Sequence, residues 1–86
     1  MPRALTIRRT IVPAADREKH LARLRAKRDH FGARNCRFWA FEEASVRGAF
    51  LEFVEADSAE TLAAAQAADA DAPADTDRVY LEVELD

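Results

Sequence analysis

Apolar and polar positions alternate along four stretches of this chain and recur at helical spacing along two others. Ala4 to Val12 is rich in β-branched residues. It sets Leu5, Ile7 and Ile11 on one side and Thr6, Arg8 and Thr10 on the other, which predicts a half-buried strand. Pro13 cannot donate to a ladder and ends it. From Ala14 or Asp16 to Phe31 the spacing becomes helical, with Leu21, Leu24 and Phe31 in one stripe and Arg17 and Arg28 on its edges. Pro13, the first-turn acids Asp16 and Glu18, and Gly32 behind Phe31 supply start and stop signals.

Asn35 to Glu43 alternates Cys36, Phe38 and Ala40 against Arg37, Trp39 and Phe41, so the predicted strand has packing on both faces. A turn around Ser45 to Gly48 leads into Ala49 to Glu55, where Ala49, Leu51 and Phe53 alternate with Phe50, Glu52 and Val54. The short spacing makes these two strands an antiparallel hairpin. Asp57-Ser58-Ala59-Glu60 has capping-box spacing and opens a second helix. That helix runs on alanine through residues 61–70, with Leu62 and Ala65 as its buried positions, and Pro73 and the surrounding aspartates stop it. Arg78 to Leu85 alternates most cleanly, with Val79, Leu81, Val83 and Leu85 against Tyr80, Glu82 and Glu84.

The order β-α-β-β-α-β, with right-handed crossovers, predicts one α+β domain over residues 1–86 of the ferredoxin-like kind. Four antiparallel strands in the order 4-1-3-2 carry both helices on one face. The clean row Val79 to Leu85 then belongs under the helices, together with Leu5/Ile7, Leu51/Phe53 and the smaller Cys36/Phe38/Ala40. Period two places Arg8, Arg37, Trp39, Phe41, Phe50, Glu52, Tyr80 and Glu82 on the opposite face. Four of these are large aromatics, more apolar area than a water-facing sheet normally carries, so a second copy or a ligand should cover it.

Composition adds three restrictions. At 86 residues the core is thin, and self-association would enlarge it. The single Cys36 allows no internal disulfide, and no leader or apolar span is evident, so a cytoplasmic location and no membrane association are expected. The net charge of −3 hides a division. Residues 1–37 hold eleven Arg or Lys against three acids, and residues 38–86 hold two against thirteen. A basic nucleic-acid face is one reading of that division. Two halves folded together with their charges paired is the other, and it is preferred because a freestanding nucleic-acid binder is usually basic overall.

The segments GAFLEF and DSAETL, residues 48–53 and 57–62, resemble the third strand and capped second helix of the dimeric α/β-barrel superfamily. Within it, the similarity is to the antibiotic-biosynthesis-monooxygenase-like proteins. The resemblance implies a homodimer of two ferredoxin-like sheets packed face to face, with substrate in the enclosed cavity. Ala56 and Ala65 stand where many members carry a tryptophan and a histidine, and the Asn, Trp and His set of the haem-degrading members has no matching positions.

Other chemistry finds little support. The RNA-recognition motif shares this element order, but its paired aromatics are missing: the first strand has none, and Glu52 would repel phosphate. His20 and His30 lie ten residues apart on the first helix without a ligand partner, and are expected at its surface or edge. Cys36 is expected to pack as a small hydrophobe. No metal, cofactor or catalytic residue is assigned. Arg8, Arg37, Glu52 and Glu82 form the one charged constellation, either as cross-strand ion pairs or as the polar end of a pocket lined by Trp39, Phe41, Phe50 and Tyr80. The expected function is a homodimer joined through the sheet face. It would bind a small apolar or aromatic molecule there, with cofactor-free monooxygenase- or isomerase-like chemistry left open. The alternative is a non-catalytic protein-interaction or dimerisation module.

Overall fold

In the computed structural model, which describes residues 2–69 and 78–85, the elements follow the predicted order. They are strand β1 (Ala4–Ile11), a 3₁₀ turn (Ala14–Asp16), helix α1 (Arg17–Gly32), strands β2 (Cys36–Glu42) and β3 (Ala49–Ala56), helix α2 (Ala59–Ala67) and strand β4 (Val79–Leu81). All pairings are antiparallel in one sheet of order β2-β3-β1-β4. This is an α+β, ferredoxin-like fold. The topology matches the expectation; the sidedness of two strands does not.

Ala4, Cys36, Val54 and Ala56 pack with Phe31 of α1 and Leu62 and Ala65 of α2, and Phe38 stacks on Phe31 at 6.2 Å. Period two then turns Ala4, Thr6, Arg8 and Thr10 of β1, and Phe50, Glu52, Val54 and Ala56 of β3, toward the helices. Leu5, Ile7, Leu51 and Phe53 therefore lie on the opposite face, not under the helices as expected. The register explains the inversion. Phe38 pairs with Val54 and Trp39 with Phe53. Phe38 and Phe53 could share a face only if the hairpin slipped by one residue, and such a slip exchanges faces for a whole strand. The helices thus sit on a floor of small residues (Ala4, Thr6, Cys36, Ala56), which lets them approach closely.

Helix α1 buries His20, Leu24, Lys27 and Phe31. The observed stripe has helical spacing, but half of it is polar, so Leu21 is only half-buried and His20 lies inside rather than at the surface. Lys27 reaches Asp69 at 2.9 Å, its stem covering apolar surface while its ammonium meets a carboxylate. His30 Nε2 lies 2.9 Å from the Ala65 carbonyl and joins the two helices. Gly32 is still helical; the left-handed residue after α1 is Asn35, at φ 62°. Helix α2 starts one residue later than the capping-box reading placed it. Ser58 caps it by accepting from Thr61 N at 3.1 Å, which leaves Asp57 outside the helix.

Strand β4 pairs with β1 over three residues only, and Glu82 N adds a bond to Arg3 O at 2.8 Å. Beyond Arg3 the next position alongside is Pro2, which has no N–H to donate. Val83 and Leu85 therefore continue the alternation without a ladder, at 72% and 91% exposure. Pro73 and the aspartates beside it, expected to stop the second helix, lie outside the described residues; the helix itself ends with Ala68 as its C-cap.

Candidate functional site: the open sheet face

The face without helices is built by the register. Trp39, Phe53 and Ile7 are direct neighbours across β2, β3 and β1, and Phe41, Leu51 and Arg9 form the next row. Leu5 pairs with Tyr80 of β4 and with Glu55 of β3, whose partner on β2 is Arg37. Phe41 meets Phe53 edge to face, with ring centroids 5.6 Å apart and planes at 83°. Trp39 is 43% exposed, Phe41 58%, Tyr80 48% and Ile7 40%. The face is thus more apolar than the sequence pattern suggested, because two of the rows expected under the helices, Leu5/Ile7 and Leu51/Phe53, lie here.

One end of this face is ionic. Arg37 bonds both Glu55 and, at 2.8 Å, Asp57. Arg3 reaches Glu55 at 3.2 Å and takes Glu82 with two guanidinium nitrogens. The sequence Asp57–Arg37–Glu55–Arg3–Glu82 therefore runs as alternating charges from β2 to beyond β4. The hydrogen bond from Arg3 holds the Glu82 carboxyl below its ordinary range. At the other end Arg9 lies 3.7 Å from Glu43. All of these pairs join the basic first part of the chain to the acidic remainder, which is how the charge division is satisfied.

Of the eight predicted residues, Arg37, Trp39, Phe41, Tyr80 and Glu82 lie on or beside this face. Arg8, Phe50 and Glu52 do not; they point to the helices. Arg8 is the direct cross-strand partner of Glu52, as expected, but on the helix side. Arg37 pairs with Glu55 and Asp57 rather than with Glu52, because Glu52 is on the other side of the sheet. Phe50 is 4% exposed, and its ring lies 4.7 Å from that of His20. The sequence reading missed Leu5, Ile7, Leu51, Phe53 and the bridging Arg3. Parity of the hairpin register, once Phe38 is placed against Phe31, assigns the two β3 residues.

The far side of the sheet holds a second arrangement at the end where α1 begins. The Glu42 carboxylate accepts from Arg17 Nη1 and Nη2 at 2.7 and 2.8 Å and from Gly48 N at 2.8 Å. These bonds, the one from Arg17 foremost, hold its pKa at about 2. The Arg17 guanidinium also stands 5.5 Å from the Phe50 ring centre, a cation–π distance. Val12, Ala14, Arg17, Arg47, Gly48 and Phe50 line a shallow cleft of about 70 Å³ here. Among the described residues no group of three His, Cys, Asp or Glu is placed to hold a metal ion. Cys36 is buried, and burial pushes its thiol pKa up, away from the nucleophilic form. No helix among the described residues is long and apolar enough to cross a membrane.

No family model matches this sequence, and no curated protein does. Among solved structures, that of Rv0793 from Mycobacterium tuberculosis is similar to this chain with a TM-score of 0.63. The match covers 100% of this chain and 97% of that one at 20% sequence identity. At that identity the likeness is one of fold, and it supports the ferredoxin-like α+β architecture reached from the strand order.

Proposed function

We propose that this protein is a homodimer joined through the open sheet face, a dimeric α/β barrel of the antibiotic-biosynthesis-monooxygenase-like kind. In this reading the space between the two sheets receives a small apolar or aromatic molecule. The observation that carries it is the pair of contiguous rows Trp39–Phe53–Ile7 and Phe41–Leu51, which cross three strands and remain open to solvent. With whole-residue areas of roughly 175–250 Å², the exposed fractions of Trp39, Phe41, Tyr80, Ile7 and Ile11 amount to about 500 Å² per chain. A standard interface covers roughly 800 Å² per partner with an apolar centre and polar rim, and the ion strip and the Arg9–Glu43 pair supply such a rim here. The strip is internally neutralised apart from Asp57, so a second copy of the same face meets little like-charge repulsion.

Sedimentation velocity at micromolar concentration tests this directly. A dimer is expected, and a monomer at 9.6 kDa sinks the reading. Small aromatic probes should then raise the melting temperature of the dimer; an interface packed without a void would bind none. A monomer that instead retains a different protein in a stable complex would point to the interaction-module alternative. A reducing, cytoplasmic location belongs to the same proposal, resting on one buried thiol and the lack of any disulfide partner.

A further inference from the structure

Strand β4 ends the sheet, and among the described residues no strand pairs with its outer edge. Glu82 N donates to Arg3 O, one step beyond the Ala4–Leu81 pair. Backbone groups alternate in direction along an antiparallel strand, so the amides and carbonyls of Val79, Leu81 and Val83 point away from β1. The side chains of this row stand on the helix side, Val79 opposite Thr6 and Leu81 opposite Ala4. The helices nevertheless leave them open: Val79 is 45%, Leu81 54% and Val83 72% exposed. An apolar edge strand with outward backbone groups is a template for another strand, and native edges are usually guarded by lysine, proline or a bulge. Residues 79–83 contain neither lysine nor proline.

The strand is complementary to itself in one register. With two copies antiparallel about Leu81, Leu81 meets its own counterpart and Val79 meets the partner's Val83. All of these carry the outward backbone groups that the new ladder needs. Arg78 then stands opposite the partner's Glu84, in the non-hydrogen-bonded kind of pair that brings side chains closest. Both residues are exposed and make no ion pair among the described residues. The neighbouring registers are worse. Centring on Glu82 sets that carboxylate against itself, and centring on Val83 sets Glu82 against Glu84; like charges directly opposite destabilise a sheet. Centring on Tyr80 offers Arg78 only Glu82, which Arg3 already holds.

We propose that β4 pairs edge to edge with β4 of a second copy of this chain, antiparallel and centred on Leu81, so that two sheets become one. The two-fold axis of this contact runs perpendicular to the sheet. Both open faces therefore lie on the same side of the joined sheet, and each stays available to a face partner. The contact is an interface distinct from the face-to-face one and goes beyond that reading; either can fail without the other. Residues 78–84 are far fewer than the roughly 20–30 a side of a standard interface, so the pairing is weak and responds to protein concentration.

The test is residue-resolved amide hydrogen exchange by NMR on the full chain at low and high protein concentration. The free fraction of a dimerising chain falls at most as the square root of its concentration. From about 20 μM to about 1 mM, protection of the Val79, Leu81 and Val83 amides should therefore rise by up to about sevenfold. The Glu82 amide, already bonded to Arg3, should change less. Phe41→Ala, which acts on the open face, should leave the rise intact. Glu84→Arg sets like charges opposite each other and should abolish it at an unaltered melting temperature, as should Arg78→Glu. The double variant Arg78→Glu/Glu84→Arg should restore it. Within one chain these two positions are separated by about 20 Å of extended strand, so rescue requires contact between copies. Protection that does not depend on concentration overturns the proposal. So does a rise that persists in Glu84→Arg, or a double variant that fails to regain it.

Discussion

Truncating Phe41 to alanine separates the two roles of the open face, because the side chain touches its own sheet and, in the proposed dimer, the partner. Within the chain it contributes an edge-to-face pair with Phe53 at 5.6 Å, so its loss should cost folding only about 0.5–1.5 kcal/mol. Across the interface, the 58% of Phe41 still exposed corresponds to about 115 Å², or about 3 kcal/mol per subunit at about 25 cal/mol/Å². Two-fold symmetry removes that contribution twice. Area overstates affinity because association also orders side chains, and aromatic truncations at interface centres typically cost about 2–4 kcal/mol. About 4–6 kcal/mol per dimer is therefore expected, which raises the dissociation constant roughly a thousandfold or more. Trp39 is the only tryptophan and stands 43% exposed on the same face, so its emission should move to longer wavelength as the dimer separates. Sedimentation equilibrium over a dilution series gives the constant itself. If Phe41→Ala associates as the parent does, or lowers the melting temperature while leaving association alone, the sheet face is not the interface.

Three further outcomes follow from the helix side and the loops. Gly48→Ala should destabilise by more than about 1 kcal/mol in chemical denaturation, because φ is +89° and an added Cβ would lie 2.4 Å from the Val12 carbonyl oxygen. Acid melts should distinguish Glu42→Gln from the parent. The Glu42 pKa is depressed from 4.5 to about 2, so its contribution is complete above pH 4.5 and fades as pH falls toward 2. Over that window the parent should lose its advantage over Glu42→Gln, and parallel melting curves would contradict the assignment. Ser58→Ala removes the acceptor of the Thr61 N–H and should cost about 1 kcal/mol of stability, read as a lower midpoint at unchanged slope.

Element order, strand order and the covering of one face by two helices were legible because each rests on local signals: Pro13, the 3.6-residue stripe, the period-two rows and the short loop before Gly48. Sidedness was harder. In β1 and β3 both rows contain apolar residues, and hydropathy alone favoured the bulkier row, Leu5/Ile7 and Leu51/Phe53, for the helix side. The protein instead puts Ala4, Thr6 and Ala56 there, beside Phe50 and Val54, and turns Leu5, Ile7, Leu51 and Phe53 to the face that lacks helices. Burial of His20, Lys27 and Glu52 was invisible to a rule that keeps such residues outside, because the contacts that place Lys27 inside (Asp69, 42 positions away) are tertiary. Arg37, Trp39, Phe41 and Tyr80 were placed correctly because β2 and β4 each have one plainly smaller or cleaner row. The cap of α2 illustrates the limit of motif spacing: Asp57 and Glu60 have the right separation, yet Ser58 caps and Asp57 binds Arg37.

The central place of β1 has a consequence for how the sheet can assemble. Its partners are β3 and β4, and the bridge from Arg3 to Glu82 joins residues 79 positions apart. Only β2 and β3 meet across a short loop, so only that hairpin can form before a large loop closes. Loop closure costs entropy that later contacts must offset, so the strand made first by the ribosome is among the last to be secured. Until it arrives, β3 presents one unpaired edge beside Phe53 and Leu51, the residues most exposed to wrong partners. The alternating charges of Arg3, Glu55 and Arg37 then act as a guide to alignment, since a shift of β1 by one residue would place Arg3 on the wrong face and break the chain of pairs.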